Sequence, residues 1–272
     1  MKLQEIIRQV YFEPSLIHPA GHAAIRNLLE QRIGNIKAER PPGDDGCGGK
    51  VELPQMDIQG NVAIIPIGGV IGQKLSPFER GAGCVDVSDI ERDIDDAEKN
   101  DAVESILYDM DTPGGMVQGT PELANRMAAV VKPNYAFTNG QISSAGYWLA
   151  ASAGGIFATP TANIGSIGVF LPWVDQSEAF KQAGLSVEVI SSGAYKGIGM
   201  PGTSLTDVQR AHLQDQINNV FEMFKAHVRE NRGDIDDDTM QGQTFMAAEA
   251  LERGLIDQMV QSKAELLGYL IG

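Results

Sequence analysis

The order of apolar and polar residues predicts an α/β fold with a parallel sheet and right-handed crossovers. Short apolar runs typical of strands alternate with segments whose apolar residues recur at helical spacing. The first run, residues 62–67, is continuously apolar, as in a strand buried on both faces. The chain has 272 residues, of which 43% are hydrophobic. That length allows one large domain with a sizeable core, or two small ones.

The first 50 residues are predicted to form an N-terminal arm and a flexible linker outside the core, ahead of a main domain at 51–272. Residues 13–19 are rich in turn-forming residues, and residues 25–33 have the apolar spacing of an amphipathic helix. Residues 40–49 are rich in proline, glycine and aspartate, which is the composition of a flexible linker.

Helices and strands alternate through the first half of the main domain. Ser88 is predicted to cap a helix that runs to Asn100, with Ile90, Ile94 and Ala97 on its inner face. A strand follows at 105–110. Thr120 is then expected to cap a helix with Pro121 at its first position. The predicted inward residues of that helix are Leu123, Met127 and Val130.

The alternation continues to the end of the chain. Strands are predicted at 135–138, from 156, at 187–190 and at 255–257, and helices from 144, at 175–183 and at 247–253. Thr206 and Gln209 form a capping box for a long helix that ends near residue 232. The predicted inward residues of the long helix are Leu213, Ile217, Val220, Phe221, Phe224 and Val228.

Three loops that follow predicted strands carry residues suited to nucleophilic catalysis. Gly114 and Gly115 follow the strand at 105–110, where paired glycines let N–H groups approach a ligand. Ser144 begins a helix after the strand at 135–138, so the partial positive charge of the helix N-terminus can stabilise an oxyanion. Lys196 lies in a glycine-flanked loop after 187–190. Taken singly, Ser144 is better explained as a helix cap and Lys196 as a surface lysine in a turn.

Histidine is the usual base for a serine nucleophile, but the four histidines lie outside these loops. His18 and His22 belong to the arm, and His212 and His227 belong to the long helix. A Ser-His-Asp triad is therefore disfavoured. A lysine can serve instead when burial keeps it neutral.

These motifs resemble the signal peptide peptidase A-like serine peptidases, which include phage capsid proteases. The similar segments are Asp-Thr-Pro-Gly-Gly at 111–115, Ser-Ala-Gly-Tyr at 144–147, Asn-Ile-Gly-Ser-Ile-Gly at 163–168 and Ser-Gly-Ala-Tyr-Lys at 192–196. Ala145 stands where many members have glycine. The resemblance covers about residues 62–260 and implies the β-β-α spiral of the Clp protease and crotonase superfamily.

The resemblance also implies a role for each site residue. Ser144 would be the nucleophile of a Ser-Lys dyad, Lys196 its general base, and Ser166 the residue that orients the lysine. The oxyanion hole would use the N–H groups of Gly115 and Ala145, with Gly114 as the alternative donor. Ser143 is the competing nucleophile, but the motif places the nucleophile directly before Ala145 and Gly146.

The implied function is serine endopeptidase activity of the domain at 51–272, in phage capsid maturation or in peptide degradation in the bacterial cytoplasm. The expected partners are protein or peptide substrates and further copies of the chain in a ring. A coenzyme A-binding crotonase-type enzyme and a non-catalytic scaffold are the alternatives.

Composition excludes several other classes. The formal net charge of −15 argues against nucleic acid as a partner. The sequence contains no run of about 18 apolar residues, so no membrane anchor is predicted. The first residues also lack the apolar core of a signal peptide. Cys47 and Cys84 are expected to be free thiols. No cofactor or metal is expected, and the acidic run at 234–238 lacks the spacing of a calcium loop.

Overall fold

The computed structural model describes residues 15–17 and 55–272. The predicted helix at 25–33 and the linker at 40–49 lie outside the described residues. Within the described part, strands and helices alternate along the chain, as the sequence predicts. The strands are β1 (Ser15–Ile17), β2 (Asp57–Gln59), β3 (Val62–Gly72), β4 (Val85–Asp86), β5 (Ser105–Met116), β6 (Asn134–Thr138), β7 (Gln141–Ser143), β8 (Ile156–Ala158), β9 (Asn163–Gly165), β10 (Thr244–Met246) and β11 (Gln258–Met259).

The helices lie between these strands, apart from the last helix, which follows β11. They are α1 (Pro77–Gly81), α2 (Val87–Lys99), α3 (Thr120–Ala128), α4 (Ala145–Ala151), α5 (Ser177–Gln182), α6 (Asp207–Arg232), α7 (Ala247–Glu252) and α8 (Lys263–Ile271), with a 3₁₀ turn at Asp237–Thr239. No helix among the described residues is long and apolar enough to cross a membrane.

The long strand β5 joins two rows of strands. Its first half pairs in parallel with β3 on one edge and with β6 on the other, and β8 and β11 continue that row. Further along β5, Thr112 pairs with Ile142 of β7, which begins a shorter row through β9 to β10. In the unit β6-β7-α4, β6 thus belongs to the first row, β7 belongs to the shorter row, and the helix α4 follows. The predicted α/β class, mostly parallel sheet and β-β-α arrangement are confirmed.

The helices differ from prediction mainly at their caps. Ile90, Ile94 and Ala97 of α2 are buried as predicted, but Asp86 caps that helix by accepting the Ser88 N–H. At α3 the N-cap is Gly119, where the left-handed backbone favours glycine. The capping box of Thr206 and Gln209 on α6 is confirmed. The closing strand comes at Gln258–Met259, just after the predicted 255–257.

The core encloses α4, whose seven residues are all buried. Trp148 of α4 stacks on Phe224 of α6 with ring centroids 4.5 Å apart and planes at 13°. Phe224 and Val228 are the buried residues of α6. The predicted inward positions 213, 217, 220 and 221 are only partly buried, because the first half of α6 extends beyond the core.

The predicted strand at 187–190 is wrong, because this segment forms no strand. It belongs to residues 168–223, all of them described, and none of these is buried in the single chain. Ile190 is 93% exposed. A strand requires a partner edge, and no described strand pairs with residues 187–190.

The expectation that the whole arm lies outside the core is wrong for residues 15–17. They form β1, which pairs antiparallel with the end of β5. Leu16 and Ile17 are buried. The turn-forming neighbours at 13–14 and 18–19 hid this strand in the sequence.

Candidate functional site

Ser144 lies at a sharp turn between β7 and α4. Its backbone has φ 54° and ψ −117°, in a region that residues other than glycine rarely adopt. Two hydrogen bonds hold this conformation: the Ser144 N–H donates to the Gly165 carbonyl at 2.8 Å, and the Ser144 carbonyl accepts from the Trp148 N–H at 2.9 Å. Such strain, maintained by the surroundings, is characteristic of functional turns.

The Ser144 side chain faces the segment that follows β9. Ser144 is only 1% exposed, and its hydroxyl donates to the Gly168 carbonyl at a long 3.4 Å. A long hydrogen bond to a neutral carbonyl holds the hydroxyl weakly. The hydroxyl can therefore turn to another partner at little cost.

The diglycine turn lies directly against the nucleophile candidate. A Cβ added at Gly114, which has φ 103°, would be 2.9 Å from the Ser144 Cβ and 3.0 Å from the Ala145 nitrogen. Thr112 shapes the turn, because its hydroxyl accepts the Gly114 N–H at 3.1 Å. The sequence marks Thr112 only as a member of the diglycine motif, and its role in holding the turn depends on the fold.

Ser166 is buried beside the same turn. The pairing of β7 with β9 sets Ser143 opposite Gly165, so the next residues, Ser144 and Ser166, follow adjacent strand ends. Ser166 has φ 52°, and its N–H donates to the Gln243 carbonyl at 2.7 Å. Its hydroxyl makes no hydrogen bond with any described residue. Gln243 was not predicted, since nothing local signals that the short strand β10 pairs with β9.

Ser143 differs from Ser144 in its surroundings. It is fully buried, and its hydroxyl has no hydrogen-bond partner among the described residues. Ser143 is the last residue of β7 and precedes the strained turn. The strained turn between strand and helix thus belongs to Ser144 and not to Ser143.

In the single chain Lys196 is not part of the cluster formed by Ser144, the diglycine turn and Ser166. It lies in a series of turns at 192–199, is exposed, and makes no side-chain hydrogen bond or ion pair with any described residue. Three of the four motif segments therefore meet around Ser144, and the fourth does not. The sequence could not reveal this, because the order of motifs along a chain says nothing of where an exposed loop lies.

The histidines of the described region have other partners. His227 Nε2 lies 3.0 Å from the Ser152 hydroxyl at the end of α4, and burial lowers the pKa of His227. His212 packs on the Tyr195 ring with centroids 4.7 Å apart. His18 and His22 lie outside the described residues. No histidine of the described region bonds to Ser144.

Other candidate ligand groups are engaged in surface ion pairs. In the acidic run at 234–238, the Asp237 carboxylate pairs with Arg229 at 2.8 Å and with Lys225 at 3.4 Å. These hydrogen bonds lower the pKa of Asp237. Across the described ranges, no group of three or more His, Cys, Asp or Glu residues could hold a metal ion. Cys84 is a free thiol, and burial raises its pKa to about 11.

Comparison with solved structures finds a likeness to a ClpP1 mutant from Listeria monocytogenes. The TM-score is 0.49 at 15% sequence identity, and the match covers 75% of this chain and 94% of the other.

Sequence comparison finds relatives in phage and bacteria. The chain is 31% identical over 282 residues to Capsid assembly protease C of Escherichia phage lambda, which covers 96% of this chain and 64% of that protein. It is 27% identical over 176 residues to the Putative signal peptide peptidase SppA of Enterococcus faecium, which covers 62% of this chain and 51% of that protein. The chain thus spans less than two thirds of either relative.

Two family models match overlapping parts of the chain. The model described as NfeD1b, N-terminal domain, matches residues 61–181. The model described as Peptidase family S49 matches residues 127–266, which is more than half of the chain and includes Ser144, Ser166 and Lys196. The chain therefore belongs to peptidase family S49.

Proposed function

We propose that the protein is a serine endopeptidase in which Ser144 is the nucleophile and Lys196 the general base. The observation that carries the proposal is the turn at Ser144. A serine with φ 54° begins a buried helix, and the diglycine turn lies against it. A helix N-terminus has N–H groups without intrahelical partners, and these can bind the negative charge that develops on a peptide carbonyl oxygen.

In the proposed reaction, the Ser144 hydroxyl attacks the scissile carbonyl while Lys196 takes its proton. The C–N bond then breaks as Lys196 returns the proton to the leaving amine. Water, deprotonated by Lys196, hydrolyses the resulting ester and regenerates Ser144. Because the lysine must be neutral to act as a base, activity is expected to rise toward alkaline pH.

The oxyanion is assigned to the backbone N–H groups of Gly115 and Ala145. The N–H of Gly114, the alternative donor, already has the Thr112 hydroxyl as a partner at 3.1 Å, which favours Gly115. Ser166 would orient Lys196. Its hydroxyl lies in the buried turn after β9, has no partner among the described residues, and can accept a hydrogen bond from the Lys196 amino group.

We further propose that the dyad is completed between copies of the chain in a ring. Lys196 is exposed in the single chain, and residues 168–223 around it contain no buried residue. A general-base lysine requires burial, and a neighbouring copy would supply it. The same surface exposes several large apolar side chains, which an interface would cover. They are Val174, Leu185, Val189, Ile190, Tyr195 and Met200.

The proposed substrates are proteins or peptides, and the proposed catalytic domain is 51–272. Similarity to a capsid assembly protease of phage lambda over 96% of the chain supports a role in capsid maturation in the cytoplasm of a bacterial host. Similarity to a putative signal peptide peptidase supports peptide degradation as the second role. Purified capsid and scaffold proteins from the same genome, incubated with the enzyme, separate the two roles, since only the first requires their cleavage.

A serine-reactive fluorophosphonate probe tests the catalytic proposal. The assembled protein should be labelled, Ser144→Ala should lose the label, and Ser143→Ala should keep it. An assembled, folded protein that takes no label and cleaves no peptide would contradict the proposal and favour a coenzyme A-binding enzyme or a scaffold.

A further inference from the structure

The end of β5, which carries the diglycine turn, has both edges occupied. On one edge β3 pairs in parallel, with Ile71 opposite Gly115. On the other edge β1 pairs antiparallel, with Ser15 opposite Met116, Leu16 opposite Gly115 and Ile17 opposite Gly114. The second edge is therefore filled by a three-residue strand from the N-terminal arm. This strand runs toward Gly114 and hence toward the nucleophile.

The backbone of this strand reaches the reaction centre. A Cβ added at Gly114 would lie 2.2 Å from the Leu16 carbonyl oxygen and 2.9 Å from the Ser144 Cβ. That oxygen and the Ser144 Cβ are therefore separated by at most the sum of those distances, 5.1 Å. The Cβ added at Gly114 would also lie 3.0 Å from the Ala145 nitrogen. A peptide carbonyl thus lies beside both the proposed nucleophile and a proposed oxyanion donor.

The side chains of this strand are enclosed as well. Leu16 is 0% exposed and Ile17 is 4% exposed, and Leu16 packs into the main hydrophobic cluster. Extended peptides that are bound by strand addition are held by main-chain pairing along a strand edge and by contacts of their side chains. The arm strand therefore makes the main-chain pairing and the buried side-chain contacts by which a strand-added peptide is held.

We propose that Ser15–Ile17 of the arm occupies the strand position that a substrate takes, so that the arm is a tethered competitor of substrate. The inference rests on the proposed function, since it requires Ser144 to be the nucleophile. Tethering makes the competitor effective, because a linked segment has an effective concentration on the order of millimolar. Substrate must displace β1 before its own carbonyl can reach Ser144.

The test displaces the strand in the full chain. Leu16→Asp would bury a carboxylate without a partner, which disfavours the docked arm. The expected result is a fall in KM for a peptide substrate with kcat unchanged, and thus a rise in kcat/KM of about tenfold or more. Val131→Asp is the matched control, because Val131 is 91% exposed and its kinetics should match the wild type. Intact mass confirms that the arm is still attached in each sample.

A second measurement supplies the strand in trans. A synthetic peptide with the sequence of residues 11–20 should inhibit Leu16→Asp competitively, and the same peptide with Leu16→Asp should not. If Leu16→Asp does not fold, the milder variant Leu16→Ala replaces it and should show the same fall in KM to a smaller extent.

The outcomes separate this inference from the proposed function. Unchanged or raised KM in the folded arm variants, with no inhibition by the peptide but with turnover that depends on Ser144, overturns the arm proposal alone. Absence of turnover and of fluorophosphonate labelling in every variant overturns the proposed function, and the arm proposal with it.

Discussion

Gly114 and Ser144 are in such close contact that a Cβ on the glycine would lie 2.9 Å from the Cβ of the serine. Real Cβ atoms essentially never approach another heavy atom closer than 3.0 Å, and the Leu16 carbonyl oxygen would lie still closer to the added atom, at 2.2 Å. The absence of a side chain at Gly114 thus lets the diglycine turn and the nucleophile turn meet.

The first prediction concerns Gly114→Ala, which should reduce kcat/KM by at least about a hundredfold by displacing the oxyanion donors. Gly83→Ala is the matched control. Gly83 also has positive φ, 88°, but nothing lies within 4 Å of an added Cβ. The control should lose about 1–2 kcal/mol of stability and keep its activity. Steady-state kinetics and chemical denaturation measure both, and equal activity losses in the two variants would refute the contact argument.

The second prediction separates the adjacent serines. Ser143→Ala removes a buried hydroxyl that has no partner among the described residues, so the free energy of unfolding should stay constant or rise by about 1 kcal/mol. Its peptidase activity should persist. Ser144→Ala should fold and have no activity. Loss of activity in Ser143→Ala alone would reverse the assignment of the nucleophile.

The third prediction tests whether Lys196 serves a neighbouring copy. Ser144→Ala and Lys196→Ala should each be inactive. The two variants, unfolded and reassembled together, should regain turnover, because some interfaces then pair an intact Ser144 with an intact Lys196. Each variant reassembled by itself is the control. If the mixed assembly forms but stays inactive, the dyad lies within one chain.

The fourth prediction concerns pH and the contact between α4 and α6. Burial lowers the pKa of His227, so the unfolded chain takes up a proton first, near its ordinary value of about 6.5. The stability that depends on neutral His227 is therefore complete above that value and is lost as the pH falls below it. Between about pH 7.5 and 5.5, Tm should fall more in the wild type than in His227→Gln. An equal fall in both would show that other groups control the acid sensitivity.

The fifth prediction concerns the aromatic stack under the nucleophile helix. Phe224→Ala should lose about 3–5 kcal/mol of stability, because Phe224 is fully buried on Trp148. Its neighbour Met223 is exposed, and Met223→Ala should change stability by no more than about 0.5 kcal/mol. Urea denaturation of both variants gives the comparison, which fails if the two losses are similar.

The sequence was most informative where structure is local. The sequence correctly predicted the capping box of Thr206 and Gln209 and the inner face of α2. Caps and helical periodicity depend on residues within one or two turns of each other. The serine and diglycine motifs were placed only approximately, because Gly114 and Gly115 lie within the end of β5, and Ser144 follows the short strand β7 rather than the predicted strand at 135–138. At 187–190 the apolar run predicted a strand, but no described strand pairs with this segment.

By itself the sequence determined the α/β class, the alternation of strands with helices and the residues that form the turn at Ser144. The tertiary structure alone decided that Leu16 pairs with Gly115 at the reaction centre and that Lys196 is exposed on a surface without buried residues. The physical reason is that a three-residue strand is stable only against a free edge built by distant parts of the chain. Likewise, the environment of a loop lysine depends on what packs over it, and in the single chain no described residue does.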